Sequence, residues 1–195
     1  MIFNIMENYN NSKLTITPSI IRTDFDGSEV MGTWETPLMH KTAELINKKQ
    51  GHILEIGFGL GIFATKCYDL GCETYTIVES HPQIIENALE WARNRNNVTV
   101  IQGDWYDNLN EICLNKYDTI YFDTHLDSNR SKFRNLVVDK CLSDGGVFGY
   151  FTMGDGDVFN YGQELNIETL TVKSDVESDY LGSAQEMLIS YLIKS

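Results

Sequence analysis

Two kinds of segment alternate along the chain when only hydrophobic and polar positions are read. Short apolar runs stand at residues 14–17, 52–56, 74–79, 98–101, 117–123 and 147–152. Runs this short, closed by turn residues, predict strands, and an unbroken apolar run predicts a strand covered on both faces. Between them, apolar residues recur at helical spacing. Leu38, Met39, Leu45 and Ile46 share one face with Thr42, with Thr36 as N-cap, Pro37 at the first helical position and Gly51 as the closing residue. A second helix over 60–70 is stopped by Gly71. Ser80 and Pro82 open a third, with Ile84, Ile85, Ala88 and Trp91 inward, and a fourth over 129–142 turns Phe133, Leu136, Val137 and Cys141 inward. Asp144-Gly145-Gly146 is turn chemistry ahead of the run at 147. Two late runs, 166–173 and 185–193, have no convincing helix between them and are expected to pair antiparallel. Before residue 30 the expectation is looser: residues 1–12 weakly ordered, an extended stretch continuing at Ile20-Ile21 after Pro18, and a turn at Asp24–Gly27. The pattern predicts an α/β fold, a doubly wound, mostly parallel sheet with right-handed crossovers and an antiparallel C-terminal edge. It divides the chain into an N-terminal extension, 1–29, and a single domain, 30–195.

The first long apolar run ends in Gly57-Phe58-Gly59-Leu60-Gly61, and the amphipathic stretch Ile62 to Leu70 follows at once. That is the order of a buried strand, a tight turn and a helix whose N-terminus faces a ligand. Glycine there supplies unusual backbone angles and removes the Cβ from the approach of a ligand. The spacing is not the GxGxxG of a dinucleotide site. Glu55, two residues ahead of the first glycine, is a poor neighbour for a pyrophosphate. It suits a cationic ligand, such as the ammonium and sulfonium of S-adenosylmethionine. On the glycines alone, a structural turn in some other α/β protein stays open. Glu79 ends the next strand 22 residues after Gly57, where a carboxylate can accept two ribose hydroxyls. Trp105 follows the third strand and is placed to line an adenine pocket. Asp123 ends the fourth, so it faces the same crevice as the glycines.

Bulk properties narrow the function classes. A length of 195 residues with 42 % hydrophobic content suits a domain with a full core. The net charge of -13 argues against a nucleic-acid binder, because nothing supplies a basic face. No segment approaches a membrane span, and no cluster of His, Cys and acids has metal-ligand spacing, so neither a membrane nor a metal is expected. Cys67, Cys72, Cys113 and Cys141 form no paired framework and read as reduced, structural thiols of a cytoplasmic protein.

The stretch Val30-Met31-x-x-Trp34-Glu35-Thr36-Pro37-x-Met39-His40 closely resembles the one that precedes the cofactor turn in guanidinoacetate N-methyltransferase and the related arginine δ-N-methyltransferases. Leu54–Gly59, Gly103-x-Trp105, Tyr121-x-Asp123-Thr124 and Gly145-Gly146-Val147 match that family in order and spacing. The resemblance covers about residues 30–154. It implies a Rossmann-like class I methyltransferase that takes S-adenosylmethionine, releases S-adenosylhomocysteine and needs no metal. It implies cofactor contacts from Met31, Met39, Phe58, Gly59, Leu60, Gly61, Glu79, Trp105 and Asp123, with their neighbours Glu55, Gly57, Ile62, Phe63, Ser80, His81 and Tyr106. It puts Glu35 and Asp123 on a guanidine, with Trp34 beside them, and Met153 and Gly154 where backbone N–H groups hold the guanidinoacetate carboxylate. After residue 152 the chain departs from the family: the loop is Met153-Gly154-Asp155-Gly156-Asp157, and the segment before the last strands is short.

A guanidinium is planar, fully charged at neutral pH and a poor nucleophile. Methylating it requires alignment along the S–CH₃ axis, a proton acceptor, and compensation of its charge beside a sulfonium. Two carboxylates meet these needs, each able to hold a fork of N–H groups. Asp123, on the cofactor side, is the expected proton acceptor and Glu35 the clamp, although the sequence leaves open which acid is the base. The expected activity is methylation of a small guanidine such as guanidinoacetate. Free arginine, another guanidine metabolite, a peptide arginine, and an inactive cofactor-binding module stand as alternatives. On residue type alone Met31 and Met39 are more commonly core filler and His40 structural, while Trp34 and Trp105 can be half-buried aromatics and Asp123 a turn cap.

Overall fold

The computed structural model describes residues 9–125, 130–151, 165–172 and 185–194. Apolar runs become the centre of a seven-stranded sheet: β4 (His52–Ile56), β5 (Thr74–Glu79), β6 (Val98–Gln102), β7 (Tyr117–Phe122), β8 (Leu142–Phe151), β9 (Leu165–Val172) and β10 (Gln185–Ile193). Their order is β6-β5-β4-β7-β8-β10-β9. The pairs β4–β5, β4–β7, β5–β6 and β7–β8 are parallel. β10 runs antiparallel to both β8 and β9. The antiparallel strand is therefore not the edge, as the sequence pattern predicts, but is inserted one place in from it.

Strand order reverses at β4, where chain from β4 winds first toward β6 and then, from β7, the other way. Alternate residues of each strand feed two cores. Ile53, Tyr75, Ile77, Tyr121 and Val147 meet α1 (Thr36–Ile46), α2 (Ile62–Leu70) and α3 (Pro82–Ala92) on one face. Leu54, Ile56, Val78, Ile120, Phe122 and Phe148 meet α4 (Leu109–Ile112) and the irregular helix α5 (130–141) on the other. A π-turn over Arg134–Val138 interrupts α5.

A second, smaller sheet precedes the first. β1 (Leu14–Ile16), β2 (Ile20–Thr23) and β3 (Glu29–Gly32) form an antiparallel three-stranded sheet. The turn expected at Asp24–Gly27 joins β2 to β3, with Gly27 at φ 75°. β3 is new relative to the sequence reading: it holds Glu29 and Met31 inward and ties β1 and β2 to the turn that enters α1.

Two boundaries and the start of the described chain differ from expectation. α1 ends at Ile46 rather than Gly51, because Asn47 stops it: its Nδ2 donates to the carbonyls of Cys67 and Gly71, 3.2 and 3.0 Å away, docking the helix end on α2. β8 starts at Leu142, so Asp144-Gly145-Gly146 is an irregularity within the strand; Gly145, at φ 66°, donates to the Lys194 carbonyl and keeps the pairing with the chain's last strand. Finally, Tyr9 is buried rather than loosely ordered, its ring 5.0 Å from those of both His81 and His125.

Candidate functional site

The glycine turn lies at the carboxyl end of β4, between β5 and β7, where the sheet's winding reverses. This is the place at which open α/β sheets bind ligands. Gly57, Gly59 and Gly61 have φ of 87°, 55° and 69°, a region that other residues rarely adopt. The turn is also gripped from both sides. A Cβ on Gly57 would sit 1.9 Å from the Asp123 carbonyl oxygen, and one on Gly59 would sit 2.3 Å from Met31 Sδ. The glycines thus bring the end of β7 and the small sheet onto one loop.

Met31 is the first link. Its Sδ accepts from the Leu60 N–H at 3.1 Å. A thioether is a weak acceptor, so this N–H, beside the start of α2, is available to a stronger one such as a ligand carboxylate. Met39, buried on α1, places Sδ 3.5 Å from the Tyr121 hydroxyl. That hydroxyl also stands 3.4 Å from Asp123 Oδ2. Phe63 stacks on the Tyr121 ring at a 4.0 Å centroid distance. Tyr121, which the sequence pattern treats only as strand filler, is therefore the post that joins Met39, α2 and Asp123.

Glu35 comes from the other direction. It closes the turn Thr33–Glu35 that leads into α1, is 5 % exposed, and accepts from the Gly32 N–H at 2.9 Å. Burial pushes its carboxyl well above the ordinary range, and the charge of Asp123 pushes it further. Asp123, half-buried, is itself pushed up to about 6, chiefly by burial; Arg130 and the Tyr121 hydroxyl act against that, and Glu79 adds to it. Trp34 supports this corner rather than lining it: its Nε1 donates to buried Glu29, which pairs with Arg22 at 3.7 Å.

Glu79 and Glu55 complete a group of four acids. The Glu79 carboxylate accepts from the N–H groups of Phe58, Ser80 and His81, each at 2.8 Å, and from Gly59. Burial raises its pKa in spite of these bonds. Glu55 is 2 % exposed and accepts from the Tyr75 hydroxyl at 2.9 Å; burial raises it well above the usual value, with Asp123 and Glu79 adding to the shift. Its position within the strand places it beneath the turn, while Glu79 is the acid at a strand end. Mutual repulsion among such acids falls when cationic ligands bind.

Other expected residues are placed differently. Trp105 is 4 % exposed and packs in the opposite core, 5.1 Å from Phe133 and edge-on to it. Tyr106 is 47 % exposed beneath Lys132 Nζ, 3.5 Å from its ring centre. Ser80 Oγ donates to Asn10, and His81 caps α3 through Nδ1 while its Nε2 lies 3.1 Å from the Ser12 carbonyl. Both side chains hold the N-terminal segment, leaving backbone as what they offer the crevice. Phe58 packs on Trp91 and Ile62 on the main core. Met153 and Gly154 lie outside the described residues. Among the described residues no three metal-binding side chains converge, and no helix is long and apolar enough to cross a membrane.

The turn, a weakly held N–H at its crest and an acid at the neighbouring strand end fit S-adenosylmethionine in kind. The fold is the Rossmann-like one of class I methyltransferases. The family model described as guanidinoacetate N-methyltransferase matches residues 4–183, and the chain belongs to that family. It is similar to protein arginine N-methyltransferase 2 of Candida glabrata, 30 % identical over 156 residues, which cover 74 % of this chain and 37 % of the relative. The protein of the same name in Kluyveromyces lactis is 27 % identical over 202 residues, 88 % of this chain and 49 % of the relative. The chain thus spans less than half the length of these curated relatives. Among solved structures, precorrin-6y C5,15-methyltransferase from Geobacter metallireducens superposes with a TM-score of 0.63 at 14 % identity, covering 93 % of this chain and all of that one. A spermidine synthase in complex with a transition state analogue gives 0.62 at 13 %, covering 90 % and 65 %. At these identities the likeness is one of fold.

Proposed function

We propose that the chain transfers a methyl group from S-adenosylmethionine to a guanidino nitrogen. The observation that carries this reading is the pair Glu35 and Asp123. They reach the crevice from different elements, lie buried and half-buried, and each has its proton affinity raised by burial, with the charge of Asp123 raising that of Glu35 further. A planar cation with two N–H edges is the ligand that relieves such a pair. Two like charges held together without a counter-charge would otherwise be costly.

Bound S-adenosylmethionine supplies an electrophilic methyl on a sulfonium. Glu35, fixed by the Gly32 N–H, holds the guanidinium by a fork of hydrogen bonds and sets its plane. Asp123 holds the target nitrogen and accepts its proton as the N–C bond forms. Its raised pKa serves that purpose, since a base works best when its pKa is near the working pH. Tyr121, kept protonated by burial and the nearby acids, steadies Asp123 through its hydroxyl. Loss of the proton during methyl transfer avoids forming a free neutral guanidine first. Met31 and Met39 hold the glycine turn and Tyr121 in register.

Among guanidines, the names of the relatives support an arginine in a protein or peptide, and the family description supports guanidinoacetate. The free cysteines fit a cytoplasmic setting. Labelled cofactor offered with guanidinoacetate, arginine, agmatine and an arginine peptide tests the reading. Label is expected on a guanidino compound, and the preferred acceptor chooses between the two substrates. Cofactor binding with transfer to none of them would favour an inactive binding module instead.

A further inference from the structure

Cys113 and Cys141 lie together on the sheet face away from α1. Cys113 caps the C-terminus of α4 and is exposed; Cys141 closes α5 and is buried. Their Sγ atoms are 3.1 Å apart, with Cys141 donating to Cys113. A disulfide requires about 2.05 Å, so the sulfurs need close by only about 1 Å. Cys113 Sγ also points at the Leu136 carbonyl, 3.8 Å away, which keeps it against α5. Lys116 donates to the Lys140 carbonyl beside them. The charges of Lys116 and Lys140 favour a thiolate at Cys141, against burial and the neighbouring thiol, which push it up to about 12. The other two cysteines are differently engaged: Cys67 is buried on α2, and the Cys72 sulfur accepts from Asn97 at 3.8 Å.

We propose that Cys113 and Cys141 form a reversible dithiol–disulfide pair that responds to peroxide. The exposed Cys113 thiolate attacks one oxygen of hydrogen peroxide; the O–O bond breaks, hydroxide leaves and takes a proton, and a sulfenic acid remains. Cys141 then gives up its proton and attacks the Cys113 sulfur. The S–S bond forms, the S–O bond breaks and a second water leaves. Two thiols are oxidised to one disulfide, and one peroxide is reduced to two waters. A small dithiol reverses the bond by exchange. The closed loop, residues 113–141, contains β7 and Asp123, so the bond staples the segment that carries the proposed base. Its closure restricts the unfolded chain and is expected to raise Tm by roughly 5–10 °C.

The full chain, treated with equimolar hydrogen peroxide and then alkylated, tests this by intact mass, non-reducing peptide mapping and thermal melting. The expected result is a loss of about 2 Da before alkylation and two fewer alkyl groups after it, a crosslinked peptide pair carrying Cys113 and Cys141, and the rise in Tm, all reversed by dithiothreitol. Cys141→Ser should abolish the crosslink and the rise. Cys113→Ser, at the exposed position, gives the same result with little risk to folding. A crosslink between Cys67 and Cys72, or a gain of about 32 Da at Cys113 with no crosslink, would overturn the proposal.

Discussion

Replacing Asp123 by asparagine should make the protein more stable and less active at once. The carboxyl is raised from 3.8 to about 6, mainly by burial. That displacement corresponds to about 3 kcal/mol held against the charged form. The sign follows from when each state ionises. Below pH 4 the acid is neutral both folded and unfolded, so nothing is lost. Between pH 4 and 6 the unfolded chain ionises while the fold still retains the proton, and stability falls. Above about pH 6 the loss is complete. Asp123→Asn removes the charge and keeps a partner for the Tyr121 hydroxyl. Because Glu35 and Glu55 share the repulsion, the gain should be about 1–2 kcal/mol at pH 7.5 and near zero at pH 4, with ~3 as the ceiling. At pH 7.5 this is a Tm rise of about 2–8 °C. Turnover should fall by roughly a hundredfold or more, the usual worth of a positioned base. Urea denaturation at the two pH values, run with a methyl-transfer assay, measures both. Destabilisation at pH 7.5, or turnover unchanged, would refute the reasoning.

Three more expectations rest on the same geometry. Since Asp123 is about half protonated at pH 6, kcat/KM should fall about tenfold per pH unit below that point, and steeper if Glu35 must also ionise; a flat profile down to pH 5 would contradict its role as base. Gly59→Ala places a Cβ against Met31 Sδ at φ 55°; it should cost about 1–3 kcal/mol and weaken cofactor binding, read by melting and by calorimetry. Tyr75→Phe strips buried Glu55 of its hydroxyl donor and should cost about 1–3 kcal/mol in urea denaturation with the substrate KM little changed.

What could be read ahead of the structure depended on where the physical requirement was written. The glycine turn was legible because left-handed backbone angles select glycine directly, and three glycines at alternate positions after a strand mark such a turn. The places of the strands along the chain follow from apolar runs, but their order in the sheet and the inward place of β10 do not, because pairing between distant strands has no local mark. β3 was missed since Glu29-Val30-Met31-Gly32 owes its extended form to pairing with β2, not to its own pattern. The end of α1 at Asn47 depended on carbonyls twenty or more residues away. Within the site, the family resemblance points to Glu35, Asp123, Met31 and Met39; that Tyr121 joins Met39 to Asp123 has no mark in the sequence, because a tyrosine in an apolar strand looks like core. The position of Trp105 after β6 suggests the crevice, whereas its ring packs edge-on against Phe122 and Phe133.

The claim that two carboxylates recognise a guanidinium is tested most directly by calorimetry. The S-adenosylhomocysteine-bound protein is titrated at pH 6 with the preferred guanidino compound and with its ureido analogue, in two buffers of different ionisation enthalpy. The account predicts that the guanidino ligand binds with release of protons as Asp123 and Glu35 ionise, that the neutral ureido analogue binds at least tenfold more weakly, and that Glu35→Gln removes much of the difference. Equal binding of the two ligands, with no proton release, would contradict it.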